Sequence, residues 1–215
     1  MDVVIVGAGG SGRECAQFVC DIEAAGGELR LRGFLDDDQA AEGDETLNAP
    51  LLGPVNGHDV SPDTGYLVAV GHGPTRAALA LEIERRGGRL VGLIHPKACV
   101  SRSAKLGRHV VLAPFAYIGP RAVVGDHAQL NVYASVSHDA RVGDRCTLSP
   151  YATLNGHAVV ESDVFMGTRA TVTVGCVIGE GSRVGAGAVV LQDMPARSLV
   201  VGMPARHRSR KETSI

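Results

Sequence analysis

The sequence predicts two domains of different fold class: an α/β domain with a small parallel sheet over residues 1–95, and a solenoid over residues 96–215. Before residue 95, short apolar runs alternate with helical segments, which is typical of strands and helices packed in layers. After it, aliphatic residues recur every six positions. The change falls at His95-Pro96, because a residue before proline is pushed into extended geometry.

The elements of the first domain follow from apolar runs and from their punctuation. Val3 to Val6 is an apolar run that predicts a buried strand. A helix is predicted to follow it and to end at Gly26-Gly27, and a later one has a proline at its start and Gly87-Gly88 at its end. The strands are predicted at residues 3–6, 31–35, 66–70 and 89–94, and the helices at residues 12–25 and 74–86.

The second domain is defined by an uninterrupted row of aliphatic residues spaced six apart. In such a repeat each rung buries its apolar row only against the next rung, and three hexapeptides would make one triangular coil of a five-turn solenoid. Small or medium-sized residues, often alanine, lie four positions after each member, and glycine directly follows seven of them. The segment 200–206 breaks the period, as a capping end does. The row comprises Val100, Leu106, Leu112, Ile118, Val124, Leu130, Val136, Val142, Leu148, Leu154, Val160, Met166, Val172, Ile178, Val184 and Val190.

Composition narrows the partners and the compartment. The 215 residues are 45% hydrophobic and 20% charged, which is typical of a soluble protein with a core. A net charge of -2 gives no reason to expect nucleic acid or an anionic membrane as a partner. Five cysteines without a CxxC pair indicate a reducing compartment. The apolar start is too short for a signal peptide, and no segment approaches the roughly 18 apolar residues of a membrane span, so we expect a cytoplasmic protein.

A glycine-rich loop, Gly7-x-Gly9-x-x-Gly12, follows the first strand and opens the first helix. This is the context of a dinucleotide-binding fingerprint, with Asp36 and Asp37 about twenty residues on. NAD is the literal interpretation, but a full dinucleotide fold uses two mononucleotide halves, and about 95 residues make only one. We therefore expect one nucleotide here. The alternative is that the glycines only make a tight turn between strand and helix.

Three motifs together resemble a known group of enzymes: the [LIV]-G-x4 repeat, the closing Val201-Gly202-Met203-Pro204-Ala205-Arg206 and the N-terminal glycine loop. They resemble the bacterial hexapeptide acyltransferases with an N-terminal nucleotide-binding domain. Members include N-acetyltransferases of nucleotide-linked 4-amino sugars, such as perosamine and bacillosamine precursors, and sialic acid O-acetyltransferases. The resemblance implies a Rossmann-like half-domain, a left-handed parallel β-helix, and a homotrimer. Acetyl-CoA would lie between neighbouring coils in an active site shared by subunits.

By this resemblance the first domain would hold a nucleotide-diphospho-sugar, GDP- or UDP-linked, through the glycine loop and the edge of the sheet. Family members commonly carry His where this chain has Ser11, so any contact from that His would be absent or replaced by one from a hydroxyl. The predicted substrate-binding residues are Gly9, Gly10, Ser11, Asp36, Asp37, Gly71 and, in the second domain, Asn131.

Acyl transfer to an amine or a hydroxyl needs a group that accepts the proton of the nucleophile, and histidine is suited to this. The repeat contains four: His109, His127, His138 and His157. The stretch from Asn131 to Asp139 resembles the family's catalytic segment, in which an Asn precedes a His followed by Glu or Asp. We predict His138 as the general base and Asp139 as its orienting partner. By resemblance, the acetyl-CoA contacts would be Gly156, Gly167 and Ala188.

Other functions stay open on the sequence alone. The same base would serve O-acetylation of a sialic acid or a related sugar, and a trimeric scaffold with a ligand sensor needs no catalysis. NAD-dependent redox chemistry is a third alternative. Carbonic anhydrases built on this type of helix bind zinc through three histidines and show an H-x4-H pattern. This chain has no such pattern, and we expect no metal.

Overall fold

A computed structural model describes residues 1–38 and 48–209. The chain divides into two compact units, Met1–Pro96 and Lys97–Ile215. Within the described ranges no helix is both long enough and apolar enough to cross a membrane.

The first unit is an α/β layer structure with a parallel sheet. Among its described residues the sheet has four strands in the order β2-β1-β3-β4. Strand β1 pairs in parallel with both β2 and β3, so the chain moves outward on one side of β1 and then on the other. The order therefore reverses between β1 and β3, the place where open α/β sheets bind ligands. The elements are β1 Asp2–Val6, α1 Gly10–Ala24, β2 Arg30–Leu35, β3 Gly65–Val68, α2 Gly73–Arg85, β4 Arg89–Leu90 and β5 Leu93–Ile94.

The core of the first unit is built from the inner strands and the helix faces against them. Tyr66 and Leu35 are fully buried, and Ile83 of α2 packs in the same cluster. Helix α1 begins at Gly10 rather than at the predicted residue 12. Gly9, whose backbone is extended, is its N-terminal capping residue. The predicted last strand, 89–94, is divided into the separate strands β4 and β5.

The second unit is a stack of two-residue strands. Each of the sixteen aliphatic positions is the second residue of one strand within this described range. The strands are β6 Cys99–Val100, β7 Lys105–Leu106, β8 Val111–Leu112, β9 Tyr117–Ile118, β10 Val123–Val124, β11 Gln129–Leu130, β12 Ser135–Val136, β13 Arg141–Val142, β14 Thr147–Leu148, β15 Thr153–Leu154, β16 Val159–Val160, β17 Phe165–Met166, β18 Thr171–Val172, β19 Val177–Ile178, β20 Arg183–Val184 and β21 Val189–Val190.

Every third strand of the stack pairs in parallel, so three sheets form the sides of a triangular coil. One side contains β6, β9, β12, β15, β18 and β21, the next contains β7, β10, β13, β16 and β19, and the third includes β8, β11, β14, β17 and β20. Residues of neighbouring coils that face each other are 18 apart, as in Ser135 opposite Thr153. The unit is a left-handed β-helix of about six turns.

Packing inside the coil explains the sequence pattern. The aliphatic row and the alanines four positions later fill the interior, where Leu130 and Ala134 are fully buried. The glycine after an aliphatic residue lies against the backbone of the next coil. A Cβ at Gly125 would lie 2.7 Å from the backbone nitrogen of Asp144, closer than real Cβ atoms approach. Three residues after the row, the turn has a positive φ, as at Asp139.

The end of the helix departs from the period in a regular way. Ile178 bridges to Met194 and Val184 pairs with Val200, so the last coil is shorter than the 18 residues of the others. The chain then forms an antiparallel hairpin of β22 Ser198–Gly202 and β23 Ala205–Ser209. The predicted cap segment therefore continues the third sheet before it closes the stack.

Candidate active site

His138 lies in the turn between β12 and β13, two residues after buried Val136. Its side chain is 57% exposed. The ring lies over Gly156 of the next coil, where an added Cβ would lie 2.6 Å from His138 Cε1 and 2.7 Å from Nε2. Gly156, predicted as a cofactor contact, thus has a direct geometric role. It leaves the space in which the imidazole sits.

Asp139 holds the imidazole from the other side. His138 Nδ1 lies 2.9 Å from Asp139 Oδ2. Arg121 of the preceding coil donates from Nε to Oδ1 at 2.6 Å and from Nη2 to Oδ2 at 2.8 Å. The hydrogen bonds from Arg121, the largest contribution, and from His138 lower the pKa of Asp139 to about 2.

Arg121 is a member of this site that the sequence reading did not identify. It occupies the same turn position as Asp139 one coil earlier, with φ near 56° against 61°. The 18-residue offset between the two was present in the sequence. Because a side chain in a turn stacks on the one a coil away, that offset was the signal that could have found the arginine.

His157 continues the same column of turns on the coil after Asp139. Its Nε2 lies 3.8 Å from Asp139 Oδ2, and its ring meets the His138 ring edge to face with centroids 5.4 Å apart. The structure therefore brings His157 to the site, one coil of 18 residues after Asp139. It is 63% exposed.

This arrangement suits proton transfer. An ionised carboxylate only accepts hydrogen bonds, so Nδ1 of a neutral His138 donates to Asp139 and the lone pair lies on Nε2.

Within the described residues, His138, Asp139 and His157 also form a group whose potential metal-ligand atoms lie within 4.8 Å of one another. The Arg121 guanidinium is bonded to both carboxylate oxygens, and its positive charge opposes a metal ion there.

The other predicted residues of the solenoid lie away from this turn. Asn131 follows β11, which belongs to a different sheet, so its turn is at another corner of the same chain. There Asn131 Oδ1 accepts a hydrogen bond from Gln129 Nε2 at 3.1 Å. One chain alone does not place Asn131 beside His138.

The structure assigns packing roles to Gly167 and Ala188, predicted as cofactor contacts. A Cβ on Gly167 would lie 2.6 Å from the backbone nitrogen of Ala186, so close coil stacking explains this glycine. Ala188 is fully buried in the coil interior. Its carbonyl accepts from Thr171 N and its N–H donates to Gly185 O. Its side chain faces the core, and contact of this residue with acetyl-CoA stays a prediction.

In the first unit the glycine loop divides into two kinds of glycine. A Cβ on Gly12 would lie 1.9 Å from the carbonyl oxygen of Gly7, so Gly12 lets α1 pack closely on the loop, and Gly7 itself has φ near 108°. Gly9 and Gly10 are exposed, with nothing within 4 Å of an added Cβ. Neither packing nor a positive φ requires glycine there, whereas approach of a ligand to the N-terminus of α1 would. Ser11 follows within the first turn of that helix.

The two aspartates after β2 are engaged in the fold. Asp36 Oδ2 accepts from Ala8 N at 2.7 Å, and Asp36 Oδ1 accepts from Asp38 N at 2.9 Å. Asp37 Oδ1 accepts from Val55 N at 2.9 Å. Asp36 thus ties its own loop to the glycine loop. Each carboxylate thus holds a neighbouring loop, and the part of Asp36 and Asp37 in substrate binding stays a prediction.

The second helix opens on the same edge of the sheet. Gly71 follows β3, and an added Cβ there would meet nothing within 4 Å. His72 caps α2, and its Nδ1 lies 2.8 Å from Thr75 Oγ1. Arg76 is only 2% exposed and donates from Nη1 to the carbonyl of Val70 at 2.6 Å. This buried arginine, which the sequence did not single out, fixes the loop beside Gly71.

Comparison with known proteins agrees with both units. Residues 2–83 match the family model of the PglD N-terminal domain. A curated relative, UDP-N-acetylbacillosamine N-acetyltransferase from Bacillus subtilis (strain 168), is 35% identical over 113 residues. That match spans 52% of this chain and about half the length of the relative, 50%.

Two solved structures match over nearly the whole length. The acetyltransferase domain of PglB from Neisseria gonorrhoeae FA1090 is 30% identical, with a TM-score of 0.86 over 96% of this chain and 99% of that one. It has also been solved with acetyl coenzyme A. PerB from Caulobacter crescentus, solved with CoA and GDP-perosamine, is 30% identical, with a TM-score of 0.80 over 97% of both chains. This chain belongs to the hexapeptide-repeat sugar acetyltransferase family.

Proposed function

We propose that this protein transfers the acetyl group of acetyl-CoA to the 4-amino group of a nucleotide-diphospho-dideoxy sugar, GDP- or UDP-linked. The observation that carries the proposal is the His138–Asp139 pair, with Nδ1 and Oδ2 2.9 Å apart on an exposed turn of the solenoid. The PglB domain solved with acetyl coenzyme A and PerB solved with CoA and GDP-perosamine support the two substrates.

The first unit supplies the binding site for the nucleotide. Two helix N-termini lie at one edge of the sheet. The open backbone at Gly9 and Gly10 follows β1, and the N-terminus of α2 at Gly73 follows the adjacent strand β3. Backbone N–H groups and helix dipoles at such an edge stabilise a diphosphate. Asp36, bonded to Ala8 N, stabilises the loop that presents those groups. One such edge suits one nucleotide and disfavours NAD.

In the reaction, acetyl-CoA supplies the activated acyl group and the sugar amine attacks it directly. A nitrogen–carbon bond forms, the carbon–sulfur bond breaks, and the proton of the amine passes to His138 Nε2. Asp139 then faces an imidazolium through Nδ1 and stabilises its charge. His138 releases the proton to the departing thiolate or to solvent. The step requires no acyl-enzyme.

The test is a panel of GDP-, UDP- and CMP-linked sugars with acetyl-CoA, followed by thiol release and by mass spectrometry of the product. We expect stabilisation against thermal unfolding by a nucleotide diphosphate and acetylation at nitrogen. Acetylation of free sialic acid without a nucleotide requirement would favour the O-acetyltransferase instead. Failure to bind CoA in calorimetry would favour a scaffold.

We further propose a homotrimer with active sites between subunits. Asn131 and His138 lie at different corners of one chain, so a second copy is required to bring these two residues together. Light scattering coupled to size-exclusion chromatography should give a mass of roughly three times the 22.3 kDa of the chain.

Cytoplasmic location remains a prediction, to be checked by fractionating cells that express the tagged protein.

A further inference from the structure

Arginine–aspartate pairs with the same geometry link neighbouring coils of the solenoid. Arg121 binds Asp139 through Nε and Nη2, and Arg145 binds Asp163 through the same two atoms at 2.7 and 2.6 Å. Both pairs span 18 residues. The residue before the aspartate differs, since it is His138 in the first pair and Ser162 in the second. The second pair therefore serves as a control, because it has the same geometry without a histidine before the aspartate.

Oxygen Oδ2 of Asp139 is the point at which the first pair departs from the second. It accepts from Arg121 Nη2 at 2.8 Å and faces His138 Nδ1 at 2.9 Å. His157 Nε2 lies 3.8 Å from the same oxygen. The backbone N–H of Asp139 is bonded to Pro120 O at 2.9 Å, so the freedom that remains is rotation of the carboxylate. Arg121 Nε on Oδ1 opposes that rotation.

The link contributes little to holding the coils together. The Arg121 side chain is 70% exposed, whereas the carboxylate it binds is 18% exposed. Exposed ion pairs are screened by solvent and stabilise proteins only weakly. Two parallel hydrogen bonds from one guanidinium nevertheless define an orientation, because the fork matches the plane of a carboxylate. The stronger consequence of Arg121 is therefore geometric.

We propose that Arg121 is a positioning residue for acetyl transfer. It holds the Asp139 carboxylate against His138 Nδ1, so that the ring keeps its place over Gly156 with the lone pair on Nε2. The inference rests on the proposed function, because it assigns Arg121 a role only through His138. Arg121 itself touches neither the amine nor the thioester in this scheme.

The experiment compares Arg121→Gln with Arg145→Gln in the full chain, with acetyl-CoA and the best nucleotide sugar of the panel. For Arg121→Gln we expect kcat to fall roughly tenfold or more, since a displaced base loses its near-attack geometry, with KM for both substrates nearly unchanged. Arg145→Gln should leave kcat within a factor of about two, because Asp163 positions no base. Arg121→Lys should restore part of kcat. In a His138→Ala background, Arg121→Gln should change the residual rate little.

The outcomes separate the two proposals. If His138→Ala lowers kcat and Arg121→Gln does not, the positioning role is overturned and the proposed function stands. If His138→Ala keeps the rate, the base itself is wrong and this inference falls with it. A rise in KM without loss of kcat would make Arg121 a substrate contact and would also overturn the proposal. Thermal unfolding shows whether each variant folds, and Arg121→Lys provides the readout if Arg121→Gln does not.

Discussion

The edge of the sheet in the first unit and the turn at His138 in the second are both built on glycines, but for different reasons. Gly9 and Gly10 have nothing within 4 Å of an added Cβ, so the fold leaves them open. Gly156 is required by one imidazole, and Gly167 by the backbone of the next coil. The comparison teaches that a glycine becomes informative only when the atom it makes room for is known.

The largest expected effect is loss of the base at the His138 turn. We expect His138→Ala to lower kcat by roughly 10²–10⁴-fold, since general base catalysis contributes about this much. The loss should come with little change in the midpoint of thermal unfolding, because the ring is 57% exposed. Steady-state kinetics and calorimetry measure the two. A variant that kept most of its turnover would contradict the assignment.

A charge placed on the open edge tests the first unit. We expect Gly10→Glu to raise KM for the nucleotide sugar roughly tenfold or more, because a carboxylate at the start of α1 repels a diphosphate. The fold should be at least as stable, since acidic residues favour a helix N-terminus. Titration with the nucleotide sugar measures its affinity for the variant. The KM for acetyl-CoA serves as an internal control and should stay unchanged. Unchanged nucleotide affinity would show that the ligand does not approach Gly10.

A matched pair of glycine variants separates site from scaffold. Gly156→Ala should displace the His138 ring, whose Cε1 would lie 2.6 Å from the new methyl group, and so lower kcat. Gly167→Ala should instead destabilise the fold by about 1–3 kcal/mol, because its methyl group meets backbone that yields poorly. Urea unfolding and kcat are measured for both. If the two variants behave alike, the distinction between the glycines is wrong.

The smallest effect concerns acid stability. The folded-state pKa of Asp139 is lowered to about 2 from 3.8. A lowered pKa in the folded state contributes stability that is present above the unfolded value and is lost as the pH falls through the folded one. We therefore expect Asp139→Asn to differ from the parent chain above about pH 4 and to converge with it near pH 2. Unfolding free energies across this range measure it, and an unchanged difference down to pH 2 would contradict the prediction.

The sequence predicted the contacts of these regions to different extents. The six-residue row predicted all sixteen strand positions, because a stacked coil imposes one environment at each repeat. His138 and Asp139 were found as neighbours in sequence, and their contact is confirmed in the structure. Arg121 was missed because its partner is 18 residues away, and the burial of Ala188 in the coil interior became visible only in the structure.

The sequence by itself determined the two fold classes, the boundary near Pro96 and the period of the solenoid, since apolar periodicity and proline geometry are local properties of the chain. Only the tertiary structure decided which groups meet across coils. It joined Arg121, Asp139 and His157 in one column, placed the His138 ring over Gly156, and engaged Asp36 with the glycine loop. These contacts depend on the stacking of coils and the order of strands, which bring together residues distant along the chain.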